Sequence, residues 1–163
     1  INTYTEAGNP GPWHQAVDDA AALGADAVII ADIGLLDYAQ RSHPDLRHHL
    51  SVQASASHPE AIRFYHQAFG VKRVVLPRVL TIAEIAELNA EIPVETEVFA
   101  FGGMCVMAEG RCSLSSYVTG QSANTDGVCS PASHVGYENR DGRLASRRGG
   151  VTLHRSAEGE APG

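Results

Sequence analysis

Four apolar, strand-like runs recur along the chain at nearly even intervals. Their starts at positions 26, 49, 73 and 95 lie 22 to 24 residues apart, and the runs are Asp26–Asp32, His49–Ser55, Arg73–Pro77 and Glu95–Phe101. They are rich in Val, Ile and Leu without clean alternation, which is typical of parallel strands covered on both faces. Each interval leaves room for one helix and two short loops. The sequence therefore predicts a series of strand–helix units.

The intervals between the runs carry helix signals. Pro12 suits a first helical turn and Gly24 suits a helix end. Thr81 and Glu84 have the spacing of a capping box, and Ser57 is a candidate cap for the helix before the third run. Between Pro12 and Gly24 an apolar stripe recurs at helical spacing: Trp13, Ala16, Val17, Ala20 and Leu23.

Repeated strand–helix–strand units form either a doubly wound sheet or a (β/α)8 barrel. Ile1–Thr5 reads as a fifth strand, and five strands are too few to close a barrel alone. The even repeat and the lack of a GxGxxG turn favour an α/β fold that is part of a (β/α)8, TIM-like barrel. We predict this partial barrel over residues 1–101, a glycine-rich cysteine segment over 102–134, and a small β-hairpin extension with a truncated end over 135–163.

In such folds the chemistry lies at the carboxyl ends of the strands. Those ends carry Asp32, Gln53, Ser55, Arg78 and Phe101–Gly103. Asp32 is either a general base or a helix N-cap.

Two residues are the candidate catalytic groups, Arg78 and Glu97. The guanidinium of Arg78 can bind a carboxylate with two hydrogen bonds, or it forms a structural ion pair with a neighbouring strand. Glu97 lies inside a strand, where an unpaired carboxylate is costly. It therefore either pairs with an Arg or Lys in the barrel interior or orients the substrate.

The overall charge bears on the class of partner. The chain of 163 residues has a formal net charge of −7, whereas a broad nucleic-acid surface needs clustered Lys and Arg. No stretch approaches the roughly 20 apolar residues of a membrane span, and no signal-peptide pattern stands at the start. We therefore expect a cytoplasmic protein. Because the chain begins inside a predicted strand, we expect it to be a fragment.

The three cysteines, Cys105, Cys112 and Cys129, are crowded into one glycine-rich segment. An odd count does not suit a disulfide framework, and in a reducing compartment clustered thiols are more often metal ligands or catalytic groups. Thiolates are the usual ligands of iron–sulfur clusters, whereas the C-x6-C spacing differs from the closer pairs of a zinc ribbon. The spacing alone leaves a cluster, a zinc site and unmetallated thiols open.

The stretch Glu97–Ser115 (EVFAFGGMCVMAEGRCSLS) is more specific. It resembles the signature of the collagenase-like peptidase family at Glu97, Phe99, Gly102, Cys105, Gly110, Cys112, Leu114 and Ser115. Gly103 departs from the Ser or Ala usual in that pattern. The likeness extends through INTYTEAGN, LGADAVIIADIGLLDYA, HLSVQASAS, RVVLPRVL and GQSANTDGVCSPA. These stretches are similar to the UbiU branch of the family, whose members resemble iron–sulfur hydroxylases of oxygen-independent ubiquinone biosynthesis.

This resemblance implies a 4Fe-4S cluster held by four cysteines. Three of them map onto Cys105, Cys112 and Cys129, and the fourth is expected beyond Gly163, so we expect the cluster to be absent or incomplete in this chain. The resemblance also implies hydroxylation of a ubiquinone precursor, an organic-acid oxygen donor such as prephenate bound by Arg78, and a heterodimer with a related, UbiV-like subunit. The alternatives are a peptide-bond hydrolase, an RNA-modifying hydroxylase and a partner-binding module whose cluster only stabilises the fold.

Overall fold

The computed structural model describes residues 1–102, 107–109, 112–121 and 124, together with three strands at 135–138, 144–147 and 151–153. Contacts divide the chain into two compact units, Ile1–Arg111 and Cys112–Gly163. The first unit is a parallel sheet with helices, and the second contains one short helix and a three-stranded sheet.

The sheet of the first unit has four parallel strands in chain order. They are β1 (Ala27–Ile30), β2 (Arg47–Leu50), β3 (Arg73–Val75) and β4 (Glu95–Glu97). The predicted α/β class with parallel strand–helix repeats is confirmed. The four strands form an open sheet in the described part of the chain, so closure into a barrel stays a prediction.

Four helices alternate with these strands: α1 (Gly11–Ala22), α2 (Ile33–Ser42), α3 (Pro59–Phe69) and α4 (Ile82–Glu91). Thr81 and Glu84 form the predicted capping box of α4. The proposed Ser57 cap of α3 is wrong. Pro59, with its fixed φ, starts that helix, and this leaves His58 as the N-cap residue. None of the helices in the described part is long and apolar enough to cross a bilayer.

The hydrophobic core lies between one face of the sheet and the helices. Successive strand residues point to opposite faces, and alternate positions of β1 to β3 and of the residues just after them are buried here. The core contains Val28, Ile30, Leu50, Val74 and Leu76 from the sheet side, and Val17, Leu35, Leu36, Ala39, Ile62 and Leu88 from the helices. Strands in chain order that share a core with their helices on one side are compatible with a segment of a (β/α)8 barrel.

The opposite face of the sheet is charged. Arg47 Nη2 lies 2.6 Å from Glu95 Oε2, and Arg73 Nη2 lies 2.8 Å from the same oxygen. The hydrogen bond between Arg73 and Glu95 lowers the pKa of Glu95 and raises that of Arg73. His49 lies on this face and is buried. Burial, followed by the charges of Arg73 and Arg47, lowers the pKa of His49, so its imidazole is neutral at neutral pH.

Ile1–Thr5 does not form the predicted fifth strand. The amino group of Ile1 donates to the Ile29 carbonyl at 2.8 Å, and the indole of Trp13 donates to the Thr3 hydroxyl at 2.9 Å. Isolated hydrogen bonds, several of them from side chains, thus hold this segment. They take the place of the backbone hydrogen bonds that a strand would make. The apolar pattern of five residues could not distinguish the two arrangements.

The second strand ends earlier than predicted. β2 stops at Leu50, and Val52–Ala54 forms a 3-10 helix inside the predicted run. Ser51 caps this helix with its side chain, and Ser55 follows it in the left-handed conformation with φ 53°. Serine side chains that bond nearby backbone groups compete with ladder pairing. The chain therefore leaves the carboxyl end of β2 in a tight turn.

A polar cluster joins α1 to α2 and to the loop after α2. Asp18 accepts hydrogen bonds from His43 Nε2 at 2.7 Å and from the Tyr38 hydroxyl at 3.0 Å. His14 stacks on the Tyr38 ring with centroids 3.8 Å apart. The hydrogen bond from His43 lowers the pKa of Asp18, partial burial opposes this shift, and the hydrogen bond from Tyr38 lowers the pKa further.

Asp18→Asn is expected to reduce the acid sensitivity of the fold. The pKa of Asp18 is lower in the folded chain than in the unfolded chain, where it is about 3.9, so the ionised carboxylate stabilises the fold above that value. This stabilisation disappears as the pH falls through the folded-state pKa. Urea unfolding at a series of pH values measures the effect. The exposed Asp45→Asn is the control, and an unchanged pH profile for Asp18→Asn contradicts the prediction.

The second unit contains α5 (Ser113–Thr119) and three strands, β5 (Val135–Glu138), β6 (Leu144–Arg147) and β7 (Val151–Leu153). β5 pairs antiparallel with β6 and parallel with β7. The residues that join β5 to β6, and most of the predicted cysteine segment, lie outside the described part. The predicted hairpin and domain boundaries therefore stay predictions.

Candidate active site

The carboxyl ends of the four strands lie along one edge of the sheet, because all neighbours are parallel. Asp32 follows β1 and is the N-cap of α2, since its Oδ1 accepts from the Leu35 amide at 2.9 Å. Its Oδ2 accepts from the amide and the hydroxyl of Thr5 at 3.3 and 3.1 Å. The capping interpretation is confirmed, and the carboxylate is already engaged by several donors.

A cavity of about 200 Å³ opens at this edge, beside the ends of β3 and β4. Its walls are largely apolar, and Arg78 is their charged member. Apolar side chains that line it include Leu76, Leu80, Ile85, Val98, Phe99 and Phe101. Apolar protein cavities of roughly 150 Å³ hold a benzene molecule, so this cavity has room for one aromatic ring next to a cation.

Arg78 contacts the chain that follows β4. Its backbone amide and its Nε both donate to Oε1 of Glu109, at 3.0 and 2.9 Å, and its Nη2 donates to the Met107 carbonyl at 3.2 Å. The guanidinium carbon also lies 5.8 Å from the centroid of the Phe99 ring, within cation–π range. Arg78 therefore forms an ion pair, with Glu109 rather than with a neighbouring strand. Binding of an organic acid by Arg78 stays a prediction.

The Glu109 carboxylate is shielded from water, with 8% of its side chain exposed. Burial by itself raises the pKa of Glu109, but hydrogen bonds from the amide and guanidinium of Arg78 outweigh it, and the net shift is downward. Glu109 is therefore charged at neutral pH. A shielded carboxylate with two donors from one arginine is a specific pairing, unlike the exposed pairs elsewhere on the surface.

The turn after β2 reaches the same stretch of chain. The Ser55 hydroxyl donates to the Glu109 carbonyl at 3.4 Å. The backbone carbonyl of Gln53 accepts from the Tyr4 hydroxyl at 2.6 Å, and its side-chain oxygen is buried without a hydrogen-bond partner among the described residues. The polar groups predicted at the end of β2 therefore do lie at this edge.

Glu97 lies in β4, on the charged face of the sheet. Its Oε2 is 3.5 Å from Arg73 Nη1, and nearly half of its side chain is exposed. Of the two predicted alternatives, the structure shows a pairing with an arginine of the adjacent strand. Orientation of a substrate by Glu97 stays a prediction.

Cys112 is the one predicted cluster ligand within the described residues, since Cys105 and Cys129 lie outside them. Its thiol is partly buried and lies 2.9 Å from the hydroxyl of Ser115, which is fully buried on α5. A thiolate at this position would accept a hydrogen bond from that hydroxyl, and such bonds to sulfur tune iron–sulfur clusters. The donor atoms of the three cysteines fit the ligand chemistry of such a cluster.

The described residues of the first unit offer no other candidate metal site. Among the residues that the structure describes, no three His, Cys, Asp or Glu side chains are grouped closely enough to bind a metal ion. Two of the three thiols lie outside these residues, so convergence of the three cysteines stays a prediction.

Sequence reasoning missed Glu109 and Met107. Both lie between Cys105 and Cys112, in the segment for which the sequence predicted only thiol ligands. The sequence offered one hint, since Arg78 was predicted to form either an ion pair or a ligand contact and Glu109 is a carboxylate in the cysteine segment. Nothing in the spacing identified the two as partners.

Comparison with known proteins places the chain in a family. The family model for peptidase family U32 matches residues 1–159. The chain belongs to peptidase family U32. The collagenase-like signature read from the cysteine segment is thereby confirmed at the level of the family. No solved structure matches this U32 chain significantly.

Relatives of this U32 chain include proteins named for RNA hydroxylation and a collagenase. It is 36% identical over 122 residues to tRNA hydroxylation protein P of Escherichia coli, a match that covers 74% of this chain and 26% of that protein. It is 30% identical over 148 residues to the 23S rRNA 5-hydroxycytidine C2501 synthase of Escherichia coli, covering 90% and 22%. It is 32% identical over 152 residues to the collagenase of Porphyromonas gingivalis, covering 86% and 36%. The chain thus spans roughly a fifth to a third of the length of these relatives.

Proposed function

We propose that this U32 chain is part of an iron–sulfur enzyme that hydroxylates an aromatic ubiquinone precursor without molecular oxygen. The observation that carries the proposal is the apolar cavity at the carboxyl edge of the sheet, which accommodates one aromatic ring beside Arg78. Two relatives named for hydroxylation of RNA support hydroxylation as the reaction type. The similarity of several stretches along the chain, among them HLSVQASAS and GQSANTDGVCSPA, to the ubiquinone branch supports the substrate.

The cysteine segment would supply the redox part of this chemistry. Cys105, Cys112 and Cys129, with a fourth ligand beyond Gly163, would hold a 4Fe-4S cluster, whose chemistry when bound is electron transfer or activation of an oxygen-containing group. The protein's own groups have other tasks. The apolar walls would bind the ring, and Arg78, held by its ion pair with Glu109, would present a fixed positive charge at the cavity wall.

A related subunit of the same family, UbiV-like, would complete the enzyme as a heterodimer, and we propose a cytoplasmic location. Co-purification of tagged full-length protein from anaerobic cells tests the partner. Recovery of the protein alone, as a monomer or homodimer, counts against the heterodimer.

The substrate is tested in a strain from which the gene has been deleted. After anaerobic growth, ubiquinone is expected to be lost and a less hydroxylated precursor to accumulate, with normal ubiquinone after aerobic growth. Quinones are quantified by liquid chromatography and mass spectrometry. Unchanged anaerobic ubiquinone removes the proposed substrate.

Val98→Trp is expected to abolish the anaerobic activity by filling the cavity. Val98 lines the cavity, and about half of its side chain is exposed, so a larger side chain there can occupy the cavity without entering the core. Activity is measured as restoration of anaerobic ubiquinone in the deletion strain, and we expect a loss of about tenfold or more, because about 1.4 kcal/mol of lost binding already corresponds to tenfold.

The matched control is Val79→Trp. Val79 is the residue after Arg78, is exposed and is not part of the cavity wall. Normal ubiquinone with Val98→Trp, in a variant whose thermal midpoint is unchanged, would show that the cavity is not the substrate site.

RNA hydroxylation is the second candidate, because two of the relatives are named for it. The net charge of −7 weighs against an RNA surface on this part of the protein. Digestion of transfer and ribosomal RNA from the deletion strain to nucleosides distinguishes the candidates. A missing hydroxylated nucleoside together with normal ubiquinone favours RNA as the substrate.

A peptidase has weaker support. The collagenase name of one relative favours it, but a cysteine nucleophile needs a nearby base. The Cys112 thiol lies 2.9 Å from the Ser115 hydroxyl, which is not a base at neutral pH. Gelatin cleavage that Cys112→Ser abolishes would restore this candidate.

A further inference from the structure

We propose that Arg78 is a positioning residue that anchors the chain between Cys105 and Cys112 to the end of β3, and that this anchor holds the ligand loop in shape before a cluster binds. The inference deepens the proposed function and rests on it for the role of the cysteines. The anchor itself consists of described residues: Arg78, Glu109, Met107 and Ser55.

The hydrogen bonds of this anchor fix the backbone of residues 107–109 as well as the Glu109 side chain. The Glu109 carboxylate takes two donors from Arg78, one of them the backbone amide. Arg78 in turn reaches the backbone carbonyl of Met107, and Ser55 reaches that of Glu109. Two successive strand ends, those of β2 and β3, therefore hold the same three-residue stretch 107–109.

The surroundings make this anchor stronger than a surface ion pair. The side chain of Glu109 is 8% exposed and that of Arg78 is 20% exposed, whereas the Arg41–Asp37 pair on α2 is 73% and 48% exposed. Charges that are shielded from water interact more strongly and are screened less by salt. Removing one partner then leaves the other shielded and uncompensated.

Ser55, which contacts the anchored stretch, has a left-handed backbone conformation. Ser55 is the non-glycine residue with positive φ in the described part of the chain, at 53°. Such a conformation costs energy and persists only where surrounding contacts support it. Ser55 lies in the turn after β2, and its hydroxyl donates to the Glu109 carbonyl. The second strand end thus supports the anchor with backbone geometry that most residues disfavour.

The anchor has a consequence for the thiols that flank it in sequence. A loop that is already held at its middle loses less conformational entropy when its cysteines bind a cluster. A loop without the anchor opens more often and exposes its thiols to reagents. Thiol reactivity of the cluster-free protein therefore reports on the anchor without reference to catalysis.

The experiment measures alkylation rates of individual cysteines in the cluster-free, full-length protein under reducing, anaerobic conditions, by peptide mass spectrometry. Arg78→Met and Glu109→Gln are each expected to accelerate labelling of Cys105 and Cys112 by about tenfold to a hundredfold, as for the loss of charge-assisted hydrogen bonds. Cys129 lies outside the anchored loop in sequence and is expected to keep its rate. Arg41→Met is the matched control and is expected to leave all three rates unchanged.

Two further variants separate positioning from general stability. Arg78→Lys keeps the charge but not the fork of donors, and is expected to give an intermediate rate. The double variant Arg78→Met with Glu109→Gln is expected to label no faster than the worse single variant, because both substitutions break the same contact. Multiplied single effects contradict a shared anchor.

Each remaining outcome has a distinct meaning. Wild-type labelling rates in Arg78→Met and Glu109→Gln overturn the proposal. Equal acceleration at all three cysteines, with earlier urea unfolding, also overturns it, because the pair would then support the fold as a whole. If wild-type protein contains no iron or sulfide while the labelling pattern holds, the anchor stands and the proposed cofactor fails.

Discussion

Cys112→Ser is expected to remove most of the iron and acid-labile sulfide from the full-length protein purified without oxygen. A 4Fe-4S cluster carries roughly four irons on four thiolates, and a serine hydroxyl is a poor substitute for a thiolate ligand. Iron should fall from about four per chain to below about one, with loss of the visible charge-transfer absorption. Metal analysis and sulfide determination measure both quantities on the same sample.

The matched control for this substitution is Ser113→Ala, the next residue along and an exposed position on α5. It is expected to retain iron and sulfide at the wild-type level. Ser115→Ala is expected to retain the cluster with a shifted reduction potential, because it removes the hydroxyl next to the sulfur. Full iron content in Cys112→Ser would exclude this cysteine as a ligand, and a zinc-containing, colourless wild-type protein would exclude the cluster.

Leu50→Ala is expected to lower the free energy of unfolding by about 3 to 5 kcal/mol, the upper part of the range for a leucine truncated in a well-packed core. Leu50 is fully buried on the central strand β2 and pairs in register with Ile30 and Val74. The cavity that is left can collapse little, because both neighbours are themselves buried. Equilibrium urea unfolding, followed by circular dichroism, measures the change.

Two comparisons make the result for Leu50 interpretable. Leu23→Ala removes the same atoms from a side chain that is 86% exposed, and should change the free energy of unfolding by less than about 0.5 kcal/mol. Leu50→Met conserves volume and should cost less than about 1.5 kcal/mol. Similar losses for Leu50→Ala and Leu23→Ala would contradict the core placed between the sheet and the helices.

Leu23 also illustrates a limit of periodicity. It belongs to the apolar stripe that predicts α1, yet α1 ends at Ala22 and the Leu23 side chain lies in solvent. Val17, in the middle of the same stripe, is fully buried. Helical spacing identifies the buried face of a helix in its centre, whereas at the end the direction of a side chain depends on where the last turn unwinds.

Sequence determined the repeating parallel α/β unit, because apolar strand-like runs recur at nearly even intervals and the helices between them carry apolar stripes and capping residues. The starts of β1, β3 and β4 follow from it to within one residue, as do the caps at Asp32 and Thr81. The cysteine pattern likewise identified the family, since it is carried by residue types at fixed spacing. These features are local, or they repeat at a regular interval.

Tertiary structure alone decided which groups meet at the carboxyl edge. The pairing of Arg78 with Glu109 joins residues 31 positions apart, and the contact of Ser55 with the same stretch spans 54 positions. Neither contact produces a periodic pattern in the sequence. Each depends on how the strand ends pack against the chain that follows β4. Side-chain hydrogen bonds that compete with the backbone ladder likewise determine where β2 ends and why Ile1–Thr5 forms no strand.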